Sequence, residues 1–249
     1  MARSERYGTF DFRDLRVLVV EDEEFARGLT CQVLKGFGCA TVAAAENGNQ
    51  AVDLLSTAHR SFGLIVCDFR MPRMNGIELL KRVRVGLAGV ARDTAFAMLT
   101  SYSDKPIVGL AFKLDVDCFL TKPTTAANMR NRLQRVMSTD RFIKPPFDYH
   151  EVFIENVEDL EPEGPGADPI AVSQQARASG VPSESGGRAL GGRSVRLADV
   201  RPGTKLVAPV KTSGGQILLL TGTSLDARTL DRLQNLAEID PAVAEVRIE

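Results

Sequence analysis

Six polar positions in the first 122 residues have the types and spacing needed to handle a phosphoryl group. Glu21-Asp22 closes the apolar run RVLVV, Asp68 closes LIVC, Thr100-Ser101 closes AFAML, and Lys122-Pro123 follows CFLT. If those runs are parallel strands, all of these groups open onto one edge of a sheet. Three carboxylates gathered there repel unless a cation sits among them. A donor set of oxygens without His or Cys suits a hard ion that keeps several waters, so Mg²⁺ is expected rather than Zn²⁺. Asp68 is the central carboxylate, and a carboxylate can act as a nucleophile that becomes an aspartyl phosphate. Such a transfer depends on neutralised oxygens and held geometry more than on covalent chemistry by the protein. Mg²⁺ on one side, the Lys122 ammonium on the other and a hydrogen bond from the Thr100 hydroxyl meet that need.

The elements that must position these groups follow from the hydrophobic pattern. Short apolar runs at Arg16–Val20, Ala40–Ala45, Leu64–Cys67, Ala95–Leu99 and Cys118–Leu120 read as strands. Several are almost continuously apolar, as expected of parallel strands covered on both faces. Helices are expected between them at Glu24–Gly36, Asn49–His59, Ile77–Val85, Lys105–Lys113 and Thr125–Met137. In the second, Ala51, Val52, Leu54 and Leu55 form the inward stripe while Asp53 and Ser56 face out. Gly36 and Gly38 stop the first helix, and Ser103-Asp104 can cap the fourth. Five strand–helix repeats imply an α/β fold, a doubly wound parallel sheet with ligands at the carboxyl ends of its strands.

With the residues set out, the chain resembles the response-regulator receiver family of bacterial two-component signalling. The matching text is RVLVVEDEE, IVCDFRMPRMNGIELLKRVR, AMLTSYSD and DCFLTKP, over residues 14–138. The resemblance implies a flavodoxin-like, five-stranded sheet and phosphorylation by a histidine kinase or phosphotransfer protein. It makes Glu21 and Asp22 the acidic pair, Asp68 the phosphoacceptor, Thr100 the switch hydroxyl and Lys122 the lysine of the site. The Arg70 carbonyl is implied as a further metal ligand, and Pro123 as following a cis peptide. Phe119 stands where the family often has a switch tyrosine, which removes a hydroxyl. Arg70 and Tyr102 flank the site at positions that in the family influence phosphoryl lifetime, and both are bulky here.

Past residue 138 the pattern changes. Residues 139–192 read as a linker, acidic from Asp148 to Asp168 and then rich in Pro, Gly and Ser. Phe147, Val152, Phe153 and Ile154 could nevertheless order its start by packing on the receiver. Residues 193–249 read as a small α+β interaction module. Its strands are expected at Leu206–Val210 and Ile217–Leu220 around a Gly214-Gly215 turn, with a closing strand at Val243–Ile248. Its helix, Leu225–Ile239, turns Leu230, Leu233, Leu236 and Ala237 inward. So thin a core needs docking or self-association. The text RPGTKLVAPV, GGQILLLTGTSL and RLQNL in this stretch resembles a module of some response regulators that also accompanies HD-GYP-type phosphodiesterases. No His-Asp dyad, GYP or GGDEF motif comes with it.

Composition argues against other classes. A net charge of −1 gives no footprint for nucleic acid. The module's nine basic against seven acidic residues from 188 onward, with a single helix, do not make a helix-turn-helix. No apolar run spans a bilayer and the N-terminus lacks a signal-peptide core, so a cytoplasmic protein without membrane partners is expected. Cys31, Cys39, Cys67 and Cys118 read as buried hydrophobes, and His59 and His150 as isolated surface groups. The P-loop-like text GRALGGRS at Gly187–Ser194 lacks the strand before and helix after it, and reads as linker. The expected protein is a phosphorelay regulator that signals through a downstream partner or itself, with no separate catalytic domain. A phosphorylation-independent scaffold and a DNA-binding regulator are the alternatives.

Overall fold

The computed structural model describes residues 10–86, 90–101, 105–152, 154 and 192–249. The apolar runs form β1 (Arg16–Val20), β2 (Thr41–Ala45), β3 (Leu64–Asp68), β4 (Ala95–Thr100) and β5 (Cys118–Thr121). They pair in parallel in the order β2-β1-β3-β4-β5. Between them run α1 (Glu24–Gly36), α2 (Gly48–Thr57), α3 (Gly76–Val85) and α4 (Lys105–Lys113), and α5 (Ala126–Met137) follows β5. Every residue of β3 and β4 is buried, because helices cover both faces of the sheet. On one face Leu34 of α1 and Met129, Leu133 and Val136 of α5 pack on Val17, Val19, Val66 and Ala97. On the other, α2, α3 and α4 pack on Leu18, Ile65, Phe96 and Phe119. The strand order reverses at β1, whose neighbours are β2 and β3. The switch point therefore falls between the ends of β1 and β3, where the acids lie.

Side-chain caps fix where the helices begin, and so aim the loops. The Glu23 carboxylate accepts from the Phe25 and Ala26 amides at the start of α1. Asn47 caps α2 and Thr125 caps α5. Asn75 and Glu78 form a reciprocal capping box on α3. Gly86 ends α3 in the left-handed region, at φ 108°. The expected Ser103-Asp104 cap lies outside the described residues.

Beyond α5 the structure corrects several expectations. Within the stretch read as linker, Pro146–His150 forms a short helix, α6, against α3. Phe147 faces solvent, whereas Tyr149 is fully buried. Val152 and Ile154 pack on the core as expected, and Phe153 lies outside the described residues. Leu206–Val210 is not one strand. The chain forms β6 (Arg193–Arg196), β7 (Thr204–Lys205), β8 (Val210–Lys211), β9 (Ile217–Leu219), β10 (Ser224–Leu225) and β11 (Glu245–Ile248). These pair antiparallel as β6–β11, β7–β10 and β8–β9, and Leu206 bridges Ile248. Pro209 stands inside the run without an amide to donate, so the ladder stops at β7 and resumes only at β8, each two residues long. Arg193 and Ser194, the end of the P-loop-like text, open β6, while residues 187–191 lie outside the described residues. Cys31 and Cys39 are half-buried, and only Cys67 and Cys118 are core residues.

The helix of this last segment, α7 (Ala227–Ala237), buries Leu230, Leu233 and Leu236. Each fully buried leucine contributes about 2 kcal/mol relative to exposure. The apolar core of this segment is continuous with that of the sheet face carrying α2, α3 and α4. Buried charge joins the two as well. Arg232 donates to Asp115 Oδ1 at 2.7 Å and Arg228 to Asp117 Oδ1 at 2.9 Å. Asp117 also accepts from the fully buried Arg84, and Asp115 from the Tyr149 hydroxyl. A segment whose core would be thin alone is therefore held on the sheet by both leucines and ion pairs.

Candidate functional site

Carboxylates of Glu21, Asp22 and Asp68 converge at the carboxyl ends of β1 and β3, one oxygen of each lying within 4.8 Å of the other two. Glu21 is 2% exposed and Asp68 7%, while Asp22 faces solvent. From the end of β5, Lys122 Nζ reaches Glu21 Oε2 and Asp68 Oδ1, each at 2.7 Å. The backbone holds these ends in place. The Glu21 amide donates to Ala45 O, the Phe69 amide to Leu99 O and the Lys122 amide to Thr100 O. Gly76 lets α3 begin against the strand that carries Asp68, since a Cβ there would collide with the Asp68 carbonyl. The Lys122-Pro123 peptide is cis, as the resemblance implied.

The pocket is short of positive charge. Burial first, and then the charge of Glu21, push the Asp68 carboxyl up from 3.8 to about 6, against the pull of Lys122. Burial opposes the Lys122 ammonium too, but its bonds to Asp68 and Glu21 outweigh that and raise it. One ammonium thus faces three carboxylates, two of them buried. An all-oxygen donor set with this deficit fits a hard divalent cation, Mg²⁺ in particular.

Around the carboxylates, the sequence-derived residues fall into place unevenly. Thr100 is 1% exposed at the end of β4, one residue past Leu99, the register partner of Asp68. Its hydroxyl donates to Ser101 O at 3.3 Å. Phe119 is 1% exposed within the core beside β4. Arg70 is half-buried, its guanidinium 5.9 Å from the centre of the Phe69 ring. Tyr102 lies outside the described residues. Arg27 was not singled out from the sequence, yet its guanidinium holds the carbonyls of Glu21 at 2.8 Å and Asp22 at 3.0 Å. A basic residue one turn into the helix that follows an acidic pair is the signal that could have revealed it.

Among the described residues, no helix is long and apolar enough to cross a membrane. A family model described as the response regulator receiver domain matches residues 17–134 and leaves the C-terminal part unassigned. Chemotaxis protein CheY homologs of three Campylobacter jejuni strains are each 33% identical over 125 residues, covering 50% of this chain and 94% of theirs. Among solved structures, chemotaxis protein CheY4 of Vibrio cholerae is 27% identical with a TM-score of 0.44, covering 49% of this chain and 98% of that one. A receiver domain from Clostridium thermocellum is 21% identical with a TM-score of 0.45, covering 49% and 94%. With its acidic triad, the match of the family model and the Campylobacter jejuni relatives, the chain belongs to the response regulator receiver family through residues 17–134.

Proposed function

We propose that the chain accepts a phosphoryl group on Asp68 from a histidine kinase or phosphotransfer protein, and passes the change on through a protein–protein output. The observation that carries this reading is Lys122 Nζ held 2.7 Å from both Glu21 and Asp68, with Asp22 completing the triad. An Asp68 oxygen attacks phosphorus, the P–N bond to the donor histidine breaks, and the departing imidazole keeps the electron pair. Glu21, Asp22, Asp68 and the Arg70 carbonyl are the groups that would hold Mg²⁺, which when bound supplies charge neutralisation to the phosphoryl oxygens. Lys122 exchanges its carboxylate partner for a phosphoryl oxygen, and Thr100 donates to another. Phe119 then fills space that Thr100 leaves, which carries the change to β5. Arg70, with Tyr102, screens attacking water and sets the lifetime of the acyl phosphate.

The residues beyond the receiver support an interaction role, with no catalytic output. The resemblance to a small module of response regulators covers roughly residues 195–249, and this segment packs on the receiver itself. Acetyl phosphate with Mg²⁺ tests the reading. Intact mass is expected to rise by one phosphoryl group in the wild type and stay unchanged in Asp68→Asn. Equal incorporation in the two proteins, or none in the wild type, overturns it. Slower decay of the wild-type adduct than of Arg70→Ala with Tyr102→Ala is the expected sign of screening, and equal decay removes that role.

A further inference from the structure

Four consecutive acids, Glu21 to Glu24, follow β1, yet among the described residues only Glu21 and Asp22 join Asp68 in the acidic triad. Glu23 is turned away from it, because its carboxylate accepts from the Phe25 and Ala26 amides at the start of α1. The turn that sorts these acids is closed by one residue. Arg27 donates its amide to the Glu23 carbonyl at 2.9 Å. Its guanidinium Nη1 donates to the Glu21 carbonyl at 2.8 Å and to the Asp22 carbonyl at 3.0 Å. Three successive carbonyls, those of residues 21, 22 and 23, are therefore satisfied from position 27. Where the turn leaves β1, the Glu21 amide is fixed to the Ala45 carbonyl of β2.

On the reading of Glu21, Asp22 and Asp68 as a Mg²⁺ site, we propose that Arg27 is the positioning residue of the acidic pair, and that the turn it closes sets a preference for a small divalent cation over a larger one. Glu21 is buried and Asp22 faces solvent, so rotation of the peptide between them would redirect both carboxylates. The carbonyl of that peptide and the next one are the two that Nη1 holds, and neither is free to turn. Mg²⁺ demands near-ideal geometry at short distances and needs its ligands already in place. Ca²⁺ accepts longer distances and irregular arrangements, so it tolerates a looser turn.

Charge and positioning make opposite demands here. A guanidinium so near the acidic pair repels a divalent cation, and on charge alone its removal would tighten binding. Held carbonyls require the reverse, since a loosened turn has to be ordered again whenever a cation binds. The sign of the change in affinity therefore separates the two roles. A single nitrogen serves both carbonyls, so a lysine ammonium, one nitrogen with three donors, can replace part of the contact.

Calorimetric titration of the full chain with Mg²⁺ and with Ca²⁺ tests this. Arg27→Ala is expected to bind Mg²⁺ roughly 10-fold more weakly than wild type, the usual effect of losing a group that orients a metal ligand. Its affinity for Ca²⁺ is expected to fall by a smaller factor, so that discrimination between the ions declines. Arg27→Lys is expected to lie between the two proteins on both counts, and carries the test alone if the alanine variant does not fold. Mg²⁺ binding by Arg27→Ala that equals or exceeds wild type overturns the positioning role while leaving the cation site in place. Equal losses for the two ions overturn the preference, and a lysine variant no better than alanine overturns the carbonyl contact as its cause. No Mg²⁺ binding by wild type overturns the reading of the triad, and this proposal with it.

Discussion

Replacing Asp68 by Asn should make the metal-free protein more stable, although it removes the residue at the centre of the site. The Asp68 carboxyl sits at about 6 in the folded chain against an ordinary 3.8. At about 1.4 kcal/mol for each pH unit, holding it ionised in the fold costs ~3 kcal/mol. The folded value is the higher one, so the penalty is absent below about pH 4, grows from pH 4 to 6, and is complete above pH 6. Asn keeps the shape and carries no charge to repel Glu21. In EDTA at pH 8 the variant is therefore expected to gain ~3 kcal/mol, a rise in Tm of roughly 6–12 °C for a chain of this size. At pH 4 the two proteins should melt together. Mg²⁺ should then raise the wild-type Tm more than that of the variant, because binding stabilises in proportion to occupancy and Asn is the poorer ligand. Thermal melts at the two pH values, with EDTA and with Mg²⁺, read all four numbers. A metal-free Asp68→Asn that melts at or below wild type at pH 8 refutes the account of the pocket as starved of positive charge.

Three further outcomes follow from the same contacts. Lys122→Ala leaves Glu21 and Asp68 buried without their ammonium, and is expected to cost about 3 kcal/mol in EDTA by urea denaturation, with no phosphoryl uptake from acetyl phosphate. Gly76→Ala sets a methyl against the Asp68 carbonyl, and is expected to destabilise by roughly 1–3 kcal/mol and to weaken Mg²⁺ binding measured by calorimetry. Burial alone would raise the Asp115 carboxyl, but Arg232, Lys144, the Tyr149 hydroxyl and Arg228 together hold it below its ordinary value, with Arg84 donating to its carbonyl. Such a group contributes stability above its unfolded value and loses it as pH falls through the folded one, so protection of α7 should fade below about pH 4. In Asp115→Asn, hydrogen exchange in α7 should be faster at pH 7 and depend less on acid, and identical pH profiles would remove Asp115 from the contact.

The site was legible because its residues close apolar runs. Asp68 and Thr100 end buried strands and Glu21, Asp22 and Lys122 follow directly on theirs, and a parallel sheet brings such positions to one edge whatever the loops do. The helices were legible from their stripes, with ends displaced by a residue or two where Asn47 and Asn75 act as caps. What binds the last segment to the receiver was not. Arg232 meets Asp115 and Arg228 meets Asp117 across more than a hundred residues, and no local spacing records a pair so far apart. Arg84 was a readable exception. It stands at the spacing of Ile77 and Leu80 on the inward face of α3, where a charged residue implies a buried partner. Pro209 marked the trouble in the C-terminal strands, since it cannot donate to a ladder.

β5 is the last strand of the sheet, four residues long, with β4 on one side only. An end strand presents a row of N–H and C=O groups that another chain's strand can pair with, which is how sheets seed aggregation. α7 lies against β5 between α4 and α5, where such a strand would have to approach. The last segment therefore also shields a sticky edge, and a shortened chain ending after α6 would trade that shield for a higher tendency to aggregate.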